Sequence, residues 1–149
     1  MNGRLPGLQL PFAAGEFAYR LAWTYSDFRF RGGEFKGNRI AGVPRHLLSA
    51  ELLYRSGPWS AGPNLRWMPQ DTPTDHANTA NNYQDAYALW GFKVDYRADE
   101  HLDVYLQGEN LADEVYASSF VIRNRADASQ PTFLSGNGRS LSLGLNYRF

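Results

Sequence analysis

The last nine residues constrain this chain more than any other stretch. Leu141-Ser142-Leu143-Gly144-Leu145-Asn146-Tyr147-Arg148-Phe149 alternate strictly between apolar and polar, and the final residue is aromatic. Alternation of this kind puts Leu141, Leu143, Leu145, Tyr147 and Phe149 on one face of a strand and Ser142, Gly144, Asn146 and Arg148 on the other. Nine residues tilted near 40° rise roughly 23 Å, close to the height of the apolar band of an outer-membrane barrel. The edge strand of a soluble sheet seldom sits at the very end of a chain.

The same period recurs upstream. Over 16–26, Phe17, Tyr19, Leu21, Trp23 and Tyr25 oppose Ala18, Arg20, Ala22, Thr24 and Ser26. Over 46–55, Leu48, Ala50, Leu52 and Tyr54 share a face. Over 59–70, Trp59, Ala61, Pro63, Leu65 and Trp67 do, and Pro63 weakens that strand because it has no N–H to donate. Over 85–97 the apolar set is Ala86, Ala88, Trp90, Phe92, Val94 and Tyr96; over 101–109 it is Leu102, Val104 and Leu106. The opposite faces hold Arg20, Glu51, Arg66, Lys93, Asp95, Asp103 and Glu109. Helical spacing with caps is nowhere sustained. The pattern predicts an all-β fold, an antiparallel meander of about six transmembrane strands. Residues 1–15 are poorly defined, with 5–12 as the remnant of a preceding strand interrupted by Pro6 and Pro11.

Connections alternate in length. Ser56-Gly57-Pro58 and Ala98-Asp99-Glu100 are tight, whereas 27–45, 71–84 and 110–138 are long and polar. Short turns on one rim and long loops on the other describe an outer-membrane barrel. With Phe149 at the periplasmic rim, both tight turns fall on that side. Tyr54, Trp59, Tyr96, Tyr147 and Phe149 then form an interfacial girdle. No apolar run approaches the ~20 residues of a spanning helix, and the mean hydropathy is negative. Neither excludes a barrel, because half of each strand faces a polar lumen. Formal net charge is zero, which gives no electrostatic case for nucleic acid. Cysteine is absent, so there is no disulfide framework and no thiolate metal site. Met1 opens no signal peptide, which is the first indication of a piece of a longer protein.

Chemical motifs are sparse. His46, His76 and His101 fall at an outer rim, in a loop and at a periplasmic turn, and are not expected to converge on a metal. Ser49 near His46 lacks a strained Gly-x-Ser-x-Gly elbow and an orienting carboxylate. No catalytic residue, metal or cofactor is expected, and the chain reads as a non-enzyme.

Three segments resemble one family. Residues 37–46, Gly37-Asn38-Arg39-Ile40-Ala41-Gly42-Val43-Pro44-Arg45-His46, are similar to the entry into a late barrel strand of TonB-dependent receptors. Glu109-Asn110-Leu111-Ala112-Asp113-Glu114-Val115-Tyr116 resembles their "NLxDxxY" segment, and 138–149 resembles their closing strand. The resemblance covers about residues 16–149, in the family's order. It implies that 1–149 is a partial barrel domain, the closing segment of a 22-stranded outer-membrane barrel without a plug domain. It implies uptake of a siderophore or similar iron chelate in the cell outer membrane of a bacterium. Its partners would be outer-membrane lipid, the barrel-assembly machinery and a ferric chelate, with TonB and plug in the full-length parent. The chain alone is expected not to transport. Two alternatives stand beside this reading: an autonomous small outer-membrane barrel with a structural or adhesive role, and a soluble β-barrel binding protein. The candidate ligand-binding residues lie in the long loops: Asp75, His76, Asn78, Tyr83, Phe120, Arg123, Arg125 and Phe133, with Asn81 and Asn82 nearby. Arginine beside aromatics suits an anionic, aryl-bearing chelate.

In barrels of this kind the terminal aromatic strand resembles the segment read during assembly, here Leu145, Tyr147 and Phe149. Losing an interfacial aromatic should cost on the order of 1–3 kcal/mol of apolar burial. Deleting Phe149 from a chain restored to full length is expected to lower heat-modifiable, membrane-inserted protein more than Phe133→Ala does. Equal assembly of the two variants would overturn the assignment.

Overall fold

In the computed structural model, the structure describes residues 2–5, 15–80, 82–127, 129 and 133–149, with the backbone alone at 2–5. Every regular element among them is a strand: β1 (Asn2–Leu5), β2 (Glu16–Tyr25), β3 (His46–Ser56), β4 (Trp59–Met68), β5 (Thr72–Pro73), β6 (Tyr83–Gln84), β7 (Tyr87–Arg97), β8 (Leu102–Glu109), β9 (Ala117–Phe120), β10 (Phe133–Ser135) and β11 (Ser140–Tyr147). Seven of them form one sheet in the order β1-β2-β3-β4-β7-β8-β11, antiparallel throughout. β5 pairs with β6 and β9 with β10 as small hairpins within the loops. The sheet is open, since β1 and β11 do not pair with each other.

The six long strands are those the alternation predicts. A short strand does precede β2. It is Asn2–Leu5, paired with Phe17–Arg20; of the expected remnant over 5–12, residues 6–12 lie outside the described residues. Asn2-Gly3-Arg4-Leu5 carries no apolar alternation, so its extended form follows from the ladder that β2 offers rather than from propensity.

Register keeps the two faces separate across the whole sheet. On one face Tyr19 opposes Leu52, Ala50 opposes Leu65, Leu65 opposes Trp90, Val94 opposes Leu106 and Leu106 opposes Leu143. On the other, Arg20 opposes Glu51, Ser60 opposes Asp95 and Arg97 opposes Asp103. Pro63 leaves this intact. The β3–β4 ladder runs in a single register on both sides of it, from Glu51↔Asn64 to Tyr54↔Ala61. Gly62 allows this: the Leu52 carbonyl approaches so closely that a Cβ there would collide with it.

The apolar face covers no core. Leu141, Leu143 and Leu145 are 71%, 75% and 69% exposed. Burying a side chain of this kind is worth about 1.5–3 kcal/mol, so water is a poor solvent for that face. The polar face is laced with ion pairs: Arg20–Glu51 at 2.7 Å, Lys93–Asp95 at 3.0 Å, and Asp103 between Arg97 at 3.4 Å and Arg148 at 2.9 Å. These pairs are half-exposed, so each contributes on the order of 0–1 kcal/mol. Their effect is to neutralise a charged wall. Apart from glycines within the sheet, the buried residues among those described, Ala41, Met68, Thr72, Pro73, Thr74, Asp75, Tyr87, Asn110 and Ala117, gather at the long-loop end.

Across β8 and β11 the Tyr105 ring occupies the space above Gly144, its cross-strand partner on the polar face. A side chain at 144 would displace that ring. Gly144→Val is expected to destabilise the sheet by about 1–3 kcal/mol, read as a lowered urea midpoint in micelles. Tyr105→Ala in the same chain should recover part of the loss. An unchanged midpoint for Gly144→Val would show that the ring is not held there.

Candidate functional site

The polar face leads at one end into three long loops, and those loops are joined to one another. In the first, Phe30 donates to the Asn38 carbonyl at 3.0 Å and Ile40 to that of Phe28 at 3.0 Å, which closes a small hairpin. Asp27 holds its base by pairing with Arg29 and Arg45, both at 3.2 Å. The Asn38 side chain then donates to the carbonyls of His76 and Ala77 in the second loop, both at 3.0 Å. Asn78, at φ 52°, turns its amide group onto the Arg39 backbone and acts as a short strand: it accepts from Arg39 N–H at 2.9 Å and donates to Arg39 C=O at 2.9 Å. Asparagine tolerates this left-handed conformation better than other side chains. Gly42 N–H adds a bond of 2.8 Å to Pro73 C=O.

The second loop is joined to the third through Asp75, which is 1% exposed. Its carboxylate accepts from Thr79 N–H at 2.9 Å, from the Thr79 hydroxyl at 2.6 Å and from Ala126 N–H at 2.6 Å. Around it, His76 N–H donates to Arg123 C=O at 2.9 Å and Ala77 N–H to Asn124 C=O at 2.8 Å. Burial alone would raise the Asp75 pKa. The bonds from Thr79 and Ala126 outweigh it and hold the carboxyl below its ordinary value.

The 109–116 segment has a structural role of the same kind. Asn110, at φ 48°, donates to the carbonyls of Glu114 at 2.9 Å and Asn137 at 3.0 Å, and accepts from Glu114 N–H at 2.8 Å. Asp113 accepts from Arg139 N–H at 2.9 Å. Tyr116 packs against Tyr87 with the rings tilted and their centroids 5.1 Å apart. These bonds fix the start of β11 against the end of β8.

Under the joined loops is a hollow of about 320 Å³. Ala41, Gly42, Pro44 and Leu47 line it from the first loop and β3, Arg66, Met68, Thr72 and Tyr87 from the polar face and β5, and Ala117, Ser118, Ser119, Phe120 and Ile122 from the third loop. Arg66 is the only charged residue in this lining.

The candidate residues take different places. Phe120 lines the hollow. Phe133 is exposed and opposes Phe120 in the β9–β10 hairpin. Arg125 pairs with Glu34 at 3.0 Å on the surface. The Arg123 backbone joins loops two and three. The Tyr83 hydroxyl donates to Asn78 C=O at 3.4 Å. His76 packs edge-on against Phe30 at 5.0 Å and accepts from Ala41 N–H at 3.4 Å. Asp75 and Asn78 have their polar atoms committed to the loop joints. Asn82 sits at the neck of the second loop, its carbonyl accepting from Thr74, and Asn81 lies outside the described residues. Leu145, Tyr147 and Phe149 stand on the apolar face toward the opposite rim, where Tyr147 contacts His101 and Phe149. Sequence reasoning placed Arg66 on the polar face but did not single out Arg66, Met68, Tyr87, Ser118 or Ser119 as lining a site. The one available signal was that Arg66 has Ser49 and Leu89 as cross-strand neighbours, neither of which can neutralise it.

A twisted antiparallel meander with an apolar face, an ion-paired polar face and long loops on one rim is a segment of β-barrel wall. The family model described as TonB-dependent receptor-like β-barrel matches residues 2–111, and the chain belongs to that family. The family is one of bacterial outer-membrane receptors and not of enzymes. Among solved structures, the chain is similar to the closed form of the ferric-catecholate import receptor Fiu from E. coli K12, with a TM-score of 0.71 and 19% identity over 89% of this chain. It spans 19% of that receptor's length. No curated protein matches the sequence.

Asp75→Ala would leave the Thr79 N–H, the Thr79 hydroxyl and the Ala126 N–H without their acceptor, at a cost of about 1 kcal/mol for each bond lost. Hydrogen exchange is expected to rise at 75–79 and 123–126 while the sheet amides stay protected. Because the folded-state pKa is depressed, the joint is at full strength above the ordinary carboxylate pKa of about 3.9 and is lost as pH falls through the lower folded value. Loop proteolysis in the unsubstituted chain should therefore stay flat from neutral pH to about 5. A rise already at pH 6 would rule out Asp75 as the joint.

Proposed function

We propose that this chain is closing barrel wall of an outer-membrane receptor that takes up a ferric siderophore or similar iron chelate with energy from TonB. The observation that carries the reading is the pairing of a lipid-suited apolar face with an ion-paired face that ends under a joined loop cap. In this reading 1–149 is a partial barrel domain. Its polar face borders a lumen filled by a plug, its long loops are extracellular, and its tight turns are periplasmic. Phe120, Phe133, Tyr83, Arg123 and Arg125 meet the chelate from the loops, while Asp75, His76 and Asn78 hold those loops together. Leu145, Tyr147 and Phe149 are read by the assembly machinery. The name of the similar receptor supports a catecholate-type chelate. The open sheet argues against an autonomous small barrel, because unpaired strand edges are not tolerated in lipid. The exposure of Leu141, Leu143 and Leu145 argues against a soluble binder.

Residues 1–149, exported behind an outer-membrane signal sequence, are expected in the membrane or detergent fraction and are expected to restore no iron uptake to a receptor-deficient strain. A monodisperse, detergent-free monomer that unfolds cooperatively would sink the membrane reading. Uptake supported by residues 1–149 alone would sink the claim that they do not transport by themselves.

A further inference from the structure

In this chain only Asn2 and Asn137 are followed directly by glycine. Asn2 lies in the β1 ladder, paired with Arg20. Asn137 lies in the link Gly136-Asn137-Gly138 that leads into β11, and it is exposed. Its main-chain carbonyl accepts from the Asn110 amide at 3.0 Å. Among the described residues, its side chain makes no hydrogen bond, and neither does the Gly138 N–H. Asn38, Asn78 and Asn110, by contrast, each donate to two carbonyls, and each is followed by a larger residue.

Asparagine is among the chemically labile side chains, and a following glycine leaves its own nitrogen unshielded. Among the described residues, a Cβ on Gly138 would meet one neighbour, Asp113 Oδ1 at 3.2 Å. The Gly138 nitrogen can therefore attack Asn137 Cγ. The N–Cγ bond forms, the bond from Cγ to the amide nitrogen breaks, and ammonia leaves with the Gly138 proton. Water then opens the five-membered imide. Addition at Cγ leaves an ordinary aspartate. Addition at the main-chain carbonyl leaves an isoaspartate, in which the chain runs through Cβ and Cγ and the former carbonyl becomes a free carboxylate.

The position of the link gives this a consequence. Gly136 N–H donates to Tyr116 C=O at 2.7 Å, Asn110 holds the Asn137 carbonyl, and Asp113 accepts from Arg139 N–H at 2.9 Å. These bonds clasp the link to the 110–116 segment, and β11 begins one residue later at Ser140. An isoaspartate lengthens the main chain between Gly136 and Arg139 by one carbon, so the bonds on either side of it cannot both keep their register. It also adds a negative charge close to the Asp113 carboxylate.

We propose that Asn137 is a site of spontaneous deamidation and isoaspartate formation, with the Gly138 nitrogen as nucleophile and water as co-reactant, and that the modification loosens the clasp at the start of β11. The proposal does not depend on what the parent receptor carries.

The test warms the folded 149-residue chain in dodecylmaltoside micelles in mildly alkaline buffer and follows it by peptide mapping, with the same chain in urea as the unfolded reference. Opening of an exposed link costs little, so Asn137 is expected to convert within about tenfold of the unfolded rate. Isoaspartate should be the main product, and Asn38, Asn78 and Asn110 should stay intact. Gly138→Ala should slow conversion by at least about tenfold, because a methyl group shields the nitrogen. The slowing is expected in urea as well as in micelles, so it does not hinge on how the variant packs. In converted chain, hydrogen exchange should rise at 110–116 and 138–141 and stay low in β3 and β4. Asn137→Asp, which adds the charge without the extra carbon, should raise it less. An intact Asn137 in folded chain after the unfolded reference has converted would overturn the proposal. So would aspartate as the sole product, or unchanged exchange in converted chain. An equal rise in Asn137→Asp would overturn the role given to the lengthened backbone.

Discussion

Everything in this structure depends on a two-residue period held in register across neighbouring strands. A strand's side chains alternate because the backbone is pleated, and a slip of one residue would send every side chain to the wrong face. Here Tyr19 meets Leu52, Leu65 meets Trp90 and Leu106 meets Leu143, while Arg20 meets Glu51 and Arg97 meets Asp103. A slip would set arginine and aspartate among the apolar side chains and leucine against a charged wall. The cost, repeated along each strand, is far greater than any single ion pair provides. The ion pairs therefore follow from the register and do not set it.

The same logic explains why the sheet has no core of its own. Its apolar residues face outward, so compactness comes from the rim. There the chain buries small and polar groups, Thr72, Thr74, Asp75 and Asn110, under loops. A buried carboxylate is tolerated because three donors satisfy it, which turns an otherwise unfavourable group into the joint between two loops. Asn38, Asn78 and Asn110 serve the same purpose by presenting amide groups in place of missing strands. Long loops would otherwise leave backbone groups unpaired at the end of a sheet.

Joined loops also bear on function. The loop surface that bears Phe120 and Phe133 is continuous, through Asp75 and Asn78, with the first loop. Contacts at the loop surface and beneath it are therefore parts of one body.

The alternation of Leu141 to Phe149, and its repeats upstream, was enough to determine the six long strands, the face of each residue, the tight turns and the rim on which they lie. These are local properties, since the pleat assigns a side chain's direction from its position alone. The chain also carried, in 37–46, 109–116 and 138–149, motifs whose family was legible before their purpose was. Tertiary structure decided the rest. Asn2–Leu5 became a strand because β2 presented an edge to it, with no pattern of its own to announce it. Asp75 and Asn78, which read as ligand donors in a polar loop, are engaged with Thr79, Ala126 and Arg39. Arg66 was visible as an inward charge. That it lines one hollow with Phe120 and Tyr87, with no carboxylate partner among the described residues, depends on how three loops far apart in the chain fold over one end of the sheet. Contacts between distant loops have no period and leave no local trace, so only the folded chain could reveal them.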